Sequence, residues 1–324
     1  MVLEIILIVL GIAVVLWGAD RFTDGATGLA RRLNVSELVI GLTVVALGTS
    51  LPEFMVSFLS VLRGSSDMSL GNIIGSNVFN ILVILGASAI MRTMTVENSL
   101  LRRDIPICLS ASALLYAFAV NEGVIARWEG LLLVAFFCAY LFMAYRIALK
   151  DRKAPLSPIE GETAEQETEK SKWLPVKGVW GSLLLILIGM AALVGGGHVL
   201  VDNAAAVARE WGVSESVIGA TILAGGTSLP ELATSVIAAR KGSLGLAFGN
   251  VIGSNVFNIA FVIGTCSSIV PMPVTEITQT DWLMLVGSCI LVWIVAYTRR
   301  ELRRWEGILL VLCYLGYLVS LLTK

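Results

Sequence analysis

A single histidine, His198, is all the imidazole this sequence holds, and only 15% of its 324 residues are charged. With no H-E-x-x-H motif and no serine nucleophile paired with a base, an intramembrane hydrolase is the least supported class. A soluble chain would be roughly a quarter charged, so the deficit, beside 56% hydrophobic residues, places most of the chain in a lipid bilayer. Positive charge is not in surplus either. A formal net charge of −1 leaves no basic surface for nucleic acid, which is excluded as a partner. The five cysteines (Cys108, Cys138, Cys266, Cys289, Cys313) fall inside apolar runs without C-x-x-C spacing. They read as small core residues, not as disulfides or metal ligands. The first apolar run starts at Val2 with no basic segment before it and ends in Trp17-Gly18-Ala19-Asp20, so a retained helix is expected in place of a cleaved leader. Nothing calls for a cofactor or an obligate protein partner.

What is abundant is long apolar sequence. A helix of about 20 apolar residues spans a bilayer, and ten such windows are present: 2–21, 36–62, 69–91, 104–120, 128–149, 178–201, 214–239, 245–270, 280–298 and 305–322. The expected fold class is an all-α integral membrane protein of ten transmembrane helices. Residues 150–177 differ, with six acidic residues, six basic residues and three prolines in 28 positions, and read as a solvated linker. Lys and Arg in short loops stay on the cytoplasmic side. With both termini outside, eighteen basic residues fall on the cytoplasmic side against four outside, so that orientation, with a cytoplasmic linker, is expected. Trp17, Trp128, Trp173, Trp180, Trp282 and Trp305 fall near predicted helix ends, as in an interfacial belt.

The chain also repeats itself. GLTVVALGTSLPEF at 41–54 returns as GATILAGGTSLPEL at 219–232, and GNIIGSNVFNI at 71–81 as GNVIGSNVFNI at 249–259, both at an offset of 178 residues. Arg127-Trp128-Glu129-Gly130 reappears as Arg304-Trp305-Glu306-Gly307. The reading is therefore two five-helix units, 1–149 and 178–324, joined by the linker at 150–177. Five is odd, so the second unit crosses the membrane in the opposite sense, and inverted repeats of this kind place a substrate site near the bilayer midplane.

Each GTSLPE string carries a proline inside a membrane span, Pro52 and Pro230. Proline cannot donate to the carbonyl four residues back, so the carbonyls of Gly48 and Gly226 are expected to lose their partners, opening the turn around Thr49 and Thr227. Open backbone at membrane depth must face protein or a water-filled cavity. The hydroxyls of Thr49, Ser50, Thr227 and Ser228 and the carboxylates of Glu53 and Glu231 then gather as oxygen ligands, which hard cations such as Ca²⁺ and Na⁺ prefer. In the second motif Ser76 and Asn80, and Ser254 and Asn258, are four apart and share a helix face. Gly71, Gly75, Gly249 and Gly253 permit a neighbouring helix to approach closely. One kinked helix alone would read as structural. Two carboxylates at equivalent inverted positions are costly in lipid unless paired or neutralised, and a cation explains them. Asp20, Asp24 and Asp202 are read as solvated caps near helix ends, and His198 as structural.

Two GTSLPE segments, each followed by GNxIGSN, resemble the paired repeats of the cation:calcium antiporter superfamily, in particular its sodium/calcium exchanger branch. The resemblance covers essentially the whole chain. It implies that Glu53 and Glu231 are the central ligands shared by Ca²⁺ and Na⁺, that Thr49, Ser50, Thr227, Ser228 and the carbonyls of Ala46 and Ala224 add oxygens, and that Ser76, Asn80, Ser254 and Asn258 complete the set. Several exchangers of that family carry Asp where this chain has Asn258, so two formal charges stand here in place of three, which bears on stoichiometry and on any need for K⁺. The expected activity is antiport of Ca²⁺ against Na⁺ at the cell's inner (plasma) membrane by alternating access, with the first and sixth helices sliding across the core. Exchange against H⁺, K⁺ coupling and a passive cation channel are the alternatives.

Overall fold

The computed structural model describes residues 2–151, 178–213, 218, 222 and 224–322. Its helices are α1 (Val2–Leu33), α2 (Glu37–Thr49), α3 (Leu51–Leu62), α4 (Ser66–Met91), α5 (Leu100–Glu122), α6 (Arg127–Asp151), α7 (Val179–Glu210), α8 (Ala224–Thr227), α9 (Leu229–Lys241), α10 (Leu244–Ile269), α11 (Gln279–Arg299) and α12 (Arg304–Leu322). Among the described residues, eight helices are long and apolar enough to span a bilayer, and the bent pair α2 and α3 makes a ninth span. The fold is all-helical and membrane-spanning. Of the ten expected windows, 214–239 lies partly outside the described residues, as do most of 150–177 and Trp173.

α1 and α7 exceed their windows, at 32 residues each. At 1.5 Å per residue that is about 48 Å, longer than the roughly 30 Å hydrocarbon layer, so both must tilt or project beyond it. α1 stops where Asn34 takes a left-handed φ of 53°, a conformation that asparagine tolerates at helix ends. The two long helices pack on each other along small residues spaced by seven. A Cβ added at Gly18 would sit 2.9 Å from the Gly189 carbonyl oxygen, and one at Gly25 would sit 2.8 Å from the Ser182 carbonyl oxygen. Such contact is available only to residues lacking bulk.

This length corrects two expectations. Asp20 and Asp24 are not caps but lie within α1, where Nζ of Lys241, at the end of α9, bonds both at 2.7 and 2.6 Å. Asp202 and His198 likewise sit inside α7, both exposed. Trp282 departs from the expected belt, being buried against Tyr116, whereas Trp17, Trp128, Trp180 and Trp305 are exposed. Among the cysteines, Cys108, Cys266 and Cys289 are core residues, Cys313 is half-buried and Cys138 is exposed.

The centre of the molecule is α4 and α10, the two helices carrying GNxIGSNVFN and the most thoroughly buried spans. Their burial follows from sequence: Leu70, Ile73, Ile74, Val78 and Ile81 on α4 and Val251, Ile252, Val256 and Ile259 on α10 are enclosed, with small and amide residues between them letting other helices close in. Gly249 shows the approach directly. A Cβ there would fall 2.6 Å from the Leu38 carbonyl oxygen and 2.8 Å from the Cα of Gly41. Among the described residues, a Cβ at Gly71 would meet only Ile277 Cδ1 at 3.9 Å, and one at Gly75 would meet nothing within 4 Å. Outside the helices, β1 (Met94–Thr95) pairs antiparallel with β4 (Glu301–Leu302), and β2 (Val124–Ile125) with β3 (Met272–Pro273). Each ribbon joins a loop of one repeat to a loop of the other.

Candidate cation-binding site

The GTSLPE segments break their helices at a serine. Ser50, at φ −86° and ψ 8°, separates α2 from α3, and the two axes differ by 47°. Ser228, at φ −89° and ψ 9°, separates α8 from α9 in the same way. Both prolines then occupy the first turn of the following helix, where a missing N–H costs nothing. The break is therefore one residue later than the expected opening at Thr49 and Thr227. The Gly48 carbonyl is not freed: backbone N–H groups at this helix end reach the carbonyls of both Ala46 and Gly48. Ala46 is buried, its carbonyl accepting the Ser50 N–H at 3.1 Å. Ala224 opens α8.

The restart puts Glu53 and Glu231 into the first turns of α3 and α9, where the helix dipole favours negative charge. Both side chains are fully buried, at 0% exposure. Each is bonded by the serine of the opposite repeat. Ser50 Oγ donates to Glu231 Oε1 at 2.8 Å, and Ser228 Oγ donates to Glu53 Oε1 at 2.9 Å. Thr227 stands beside Glu53 and Thr49 beside Glu231, and the crossed serine bonds draw the two carboxylates into one site. Among the described residues, neither glutamate forms an ion pair with Lys or Arg.

The second oxygen of each carboxylate, Oε2 of Glu53 and Oε2 of Glu231, is buried without a hydrogen-bond partner among the described residues. So are Ser76 Oγ and Ser254 Oγ, and Asn80 Oδ1 and Asn258 Oδ1. These are three repeat-related pairs drawn from the residues the sequence singled out. Other buried oxygens without partners, such as those of Thr23 and Ser88, lack a repeat mate in the set. An unmet buried acceptor costs about 1–3 kcal/mol, so such pairs call for a ligand that supplies positive charge. Among the described residues no group of three or more His, Cys, Asp or Glu gathers. The donor set is thus mostly neutral oxygen around two carboxylates, which suits a hard cation and not zinc or copper.

Several residues of this network are not singled out by sequence. Asn72 Nδ2 donates to Ser57 Oγ at 2.9 Å, and Asn250 Nδ2 to Ser235 Oγ at 2.8 Å, tying α3 to α4 and α9 to α10. The Thr49 hydroxyl is shared between the Val45 carbonyl at 3.1 Å and Asn250 Oδ1 at 3.0 Å. Asn77 and Asn255 meet across the interface of α4 and α10. The signal was available: the four asparagines are polar residues inside apolar spans and belong to the duplicated string. Wide π-helical turns at Asn80–Ile84 and Phe257–Ile263 carry Asn80 and Asn258. Such turns recur at functional positions.

The sequence matches the family described as "Sodium/calcium exchanger protein" over residues 3–146 and 181–323. It is 34% identical to the putative antiporter CaxA of Alkalimonas amylolytica over 321 residues, covering 98% of both chains. It is also 34% identical to the inner membrane protein YrbG of Escherichia coli over 325 residues, covering 99% of this chain and 97% of that one. A solved structure of the sodium-calcium exchanger NCX_Mj, soaked with Na⁺ and Ca²⁺, superposes with a TM-score of 0.82 at 31% identity, covering 99% of each chain.

Proposed function

We propose that this chain, which belongs to the sodium/calcium exchanger protein family, exchanges Ca²⁺ for Na⁺ across the cell's inner membrane at a site shared by its two inverted repeats. The family is one of transporters, not enzymes. Glu53 and Glu231 are the charged ligands; Thr49, Ser50, Thr227, Ser228, Ser76, Asn80, Ser254, Asn258 and the carbonyls of Ala46 and Ala224 supply the neutral oxygens. One observation carries the reading: paired buried carboxylates, each held by the opposite repeat's serine, have unmet oxygens that recur in repeat-related pairs.

Two carboxylates match the charge of one Ca²⁺, and Na⁺ ions competing for the same oxygens replace it. An empty site leaves like charges facing each other away from water, so the unloaded protein is a poor intermediate and the ions trade places. α1 and α7 pack on each other along the glycine seam and move as a pair over the core, exposing the site to one side at a time. The units are 1–149 and 178–324, both termini lie outside, and 150–177 is cytoplasmic, an orientation supported by the basic-residue bias; a relative named as an inner membrane protein supports the choice of membrane.

Proteoliposomes loaded with Na⁺ take up ⁴⁵Ca²⁺ when diluted into choline, and Glu53→Gln abolishes that uptake. Full uptake by Glu53→Gln refutes the ligand assignment. Uptake that ignores Na⁺ and follows a pH or K⁺ gradient reassigns the coupling ion, and downhill flux independent of any second ion makes the protein a channel.

A further inference from the structure

Four asparagines link α4 to α10 in an arrangement that admits one hydrogen-bond assignment. Asn77 Nδ2 donates to the main-chain carbonyl of Asn255 at 3.2 Å, and Asn255 Nδ2 donates to the main-chain carbonyl of Asn77 at 3.1 Å. A main-chain carbonyl only accepts, so each of these amides must turn its nitrogen toward the other helix. Their oxygens then point the opposite way. Asn77 Oδ1 faces Asn258 Nδ2 at 3.1 Å, and Asn255 Oδ1 faces Asn80 Nδ2 at 3.0 Å. An oxygen there tolerates only a donor opposite it, so Asn258 and Asn80 are turned in their turn. Both end with Oδ1 on the side where no group among the described residues meets it. All four residues are at most 1% exposed, and rotating one amide sets oxygen against oxygen at hydrogen-bond distance.

We propose that Asn77 and Asn255 are positioning residues, anchored on each other's backbone, that force Asn258 and Asn80 to offer oxygen, never nitrogen, to the transported cation. The inference rests on the assignment of Asn80 and Asn258 as ligands made above. It also accounts for amides standing at both positions. An ionised aspartate at 258 would place a carboxylate oxygen about 3 Å from Asn77 Oδ1 with no proton between them, and Asn77 cannot turn without losing its backbone anchor. The quartet therefore holds the site at two negative charges, the charge of a single divalent ion. An outer partner that aims a metal ligand is commonly worth ten- to a hundredfold in metal affinity.

The test uses the full-length purified protein carrying Asn77→Leu or Asn255→Leu. The Ca²⁺ concentration giving half the maximal rise in thermal unfolding midpoint reports binding, and ⁴⁵Ca²⁺ uptake in proteoliposomes reports KM and Vmax. Positioning predicts that half-saturation and KM both rise about tenfold or more, while Vmax at saturating Ca²⁺ stays within about threefold. A role in packing alone lowers yield or Vmax and leaves half-saturation where it is, and that result overturns the proposal. Asn77→Ala and Asn255→Ala, which add no bulk, give the same readout should leucine prevent folding. Wild-type protein that shows no Ca²⁺-dependent stabilisation refutes the ion assignment itself, and this inference falls with it; a wild-type response shared unchanged by the variants refutes the inference alone.

Discussion

Replacing Glu231 with glutamine removes one charge and almost nothing else. Ser50 Oγ, 2.8 Å from Glu231 Oε1, can donate equally to a glutamine carbonyl, so the cross-repeat bond survives and the variant folds. The change is then electrostatic. Two unit charges about 4 Å apart interact by about 4 kcal/mol at an effective dielectric of about 20. A Na⁺ ion at this carboxylate therefore loses about 4 kcal/mol and a Ca²⁺ ion about 8 kcal/mol. Relief of the repulsion between Glu53 and Glu231 stabilises the empty variant by the same amount whichever ion follows, so it cancels in the comparison. The surviving difference of about 4 kcal/mol is roughly a thousandfold: Glu231→Gln weakens Ca²⁺ binding about a thousand times more than it weakens the binding of each Na⁺. The assay follows the thermal unfolding midpoint against CaCl₂ or NaCl, with choline chloride holding ionic strength constant. Equal losses for the two ions refute the reasoning, because they mean that the carboxylate does not act as a charge at the bound cation.

Two further perturbations probe the scaffold. Gly189→Ala forces a methyl group against the backbone of Phe22 and Gly18, and overpacking of this kind costs about 1–3 kcal/mol; its unfolding midpoint falls, while Gly195→Ala, exposed with nothing within 4 Å of the new Cβ, leaves the midpoint unchanged or higher. Lys241→Gln breaks both contacts to Asp20 and Asp24, yet these groups are about a third exposed and such pairs contribute roughly 0–1 kcal/mol, so thermal stability in physiological salt moves little and a large drop overturns that estimate.

Lipid makes part of this molecule easy to read from its residues, since a span must be apolar for about 20 positions, and the duplicated strings fix which spans correspond. Glu53, Glu231, Ser50 and Ser228 stood out because charge, hydroxyl and proline share six residues inside such spans. Other features lie beyond that logic. The overrun of α1 to Leu33 passes through Asp20, Arg21 and Asp24, residues that read as a helix end until Lys241 is seen beside them. Proline at position 52 announces a break but not its register, which Ser50 sets by taking a non-helical ψ. The π turns at Asn80 and Asn258 leave no mark in hydrophobic periodicity. Asn77 and Asn255 look like any helix-linking amides, because their meaning lies in a contact between residues 178 positions apart.

Because Ser50 bonds the glutamate of the second repeat and Ser228 that of the first, neither repeat can make these bonds alone. A solitary unit would hold one acid and a hydroxyl with nothing to grip. Two identical units threaded through a bilayer in opposite directions would complete each other.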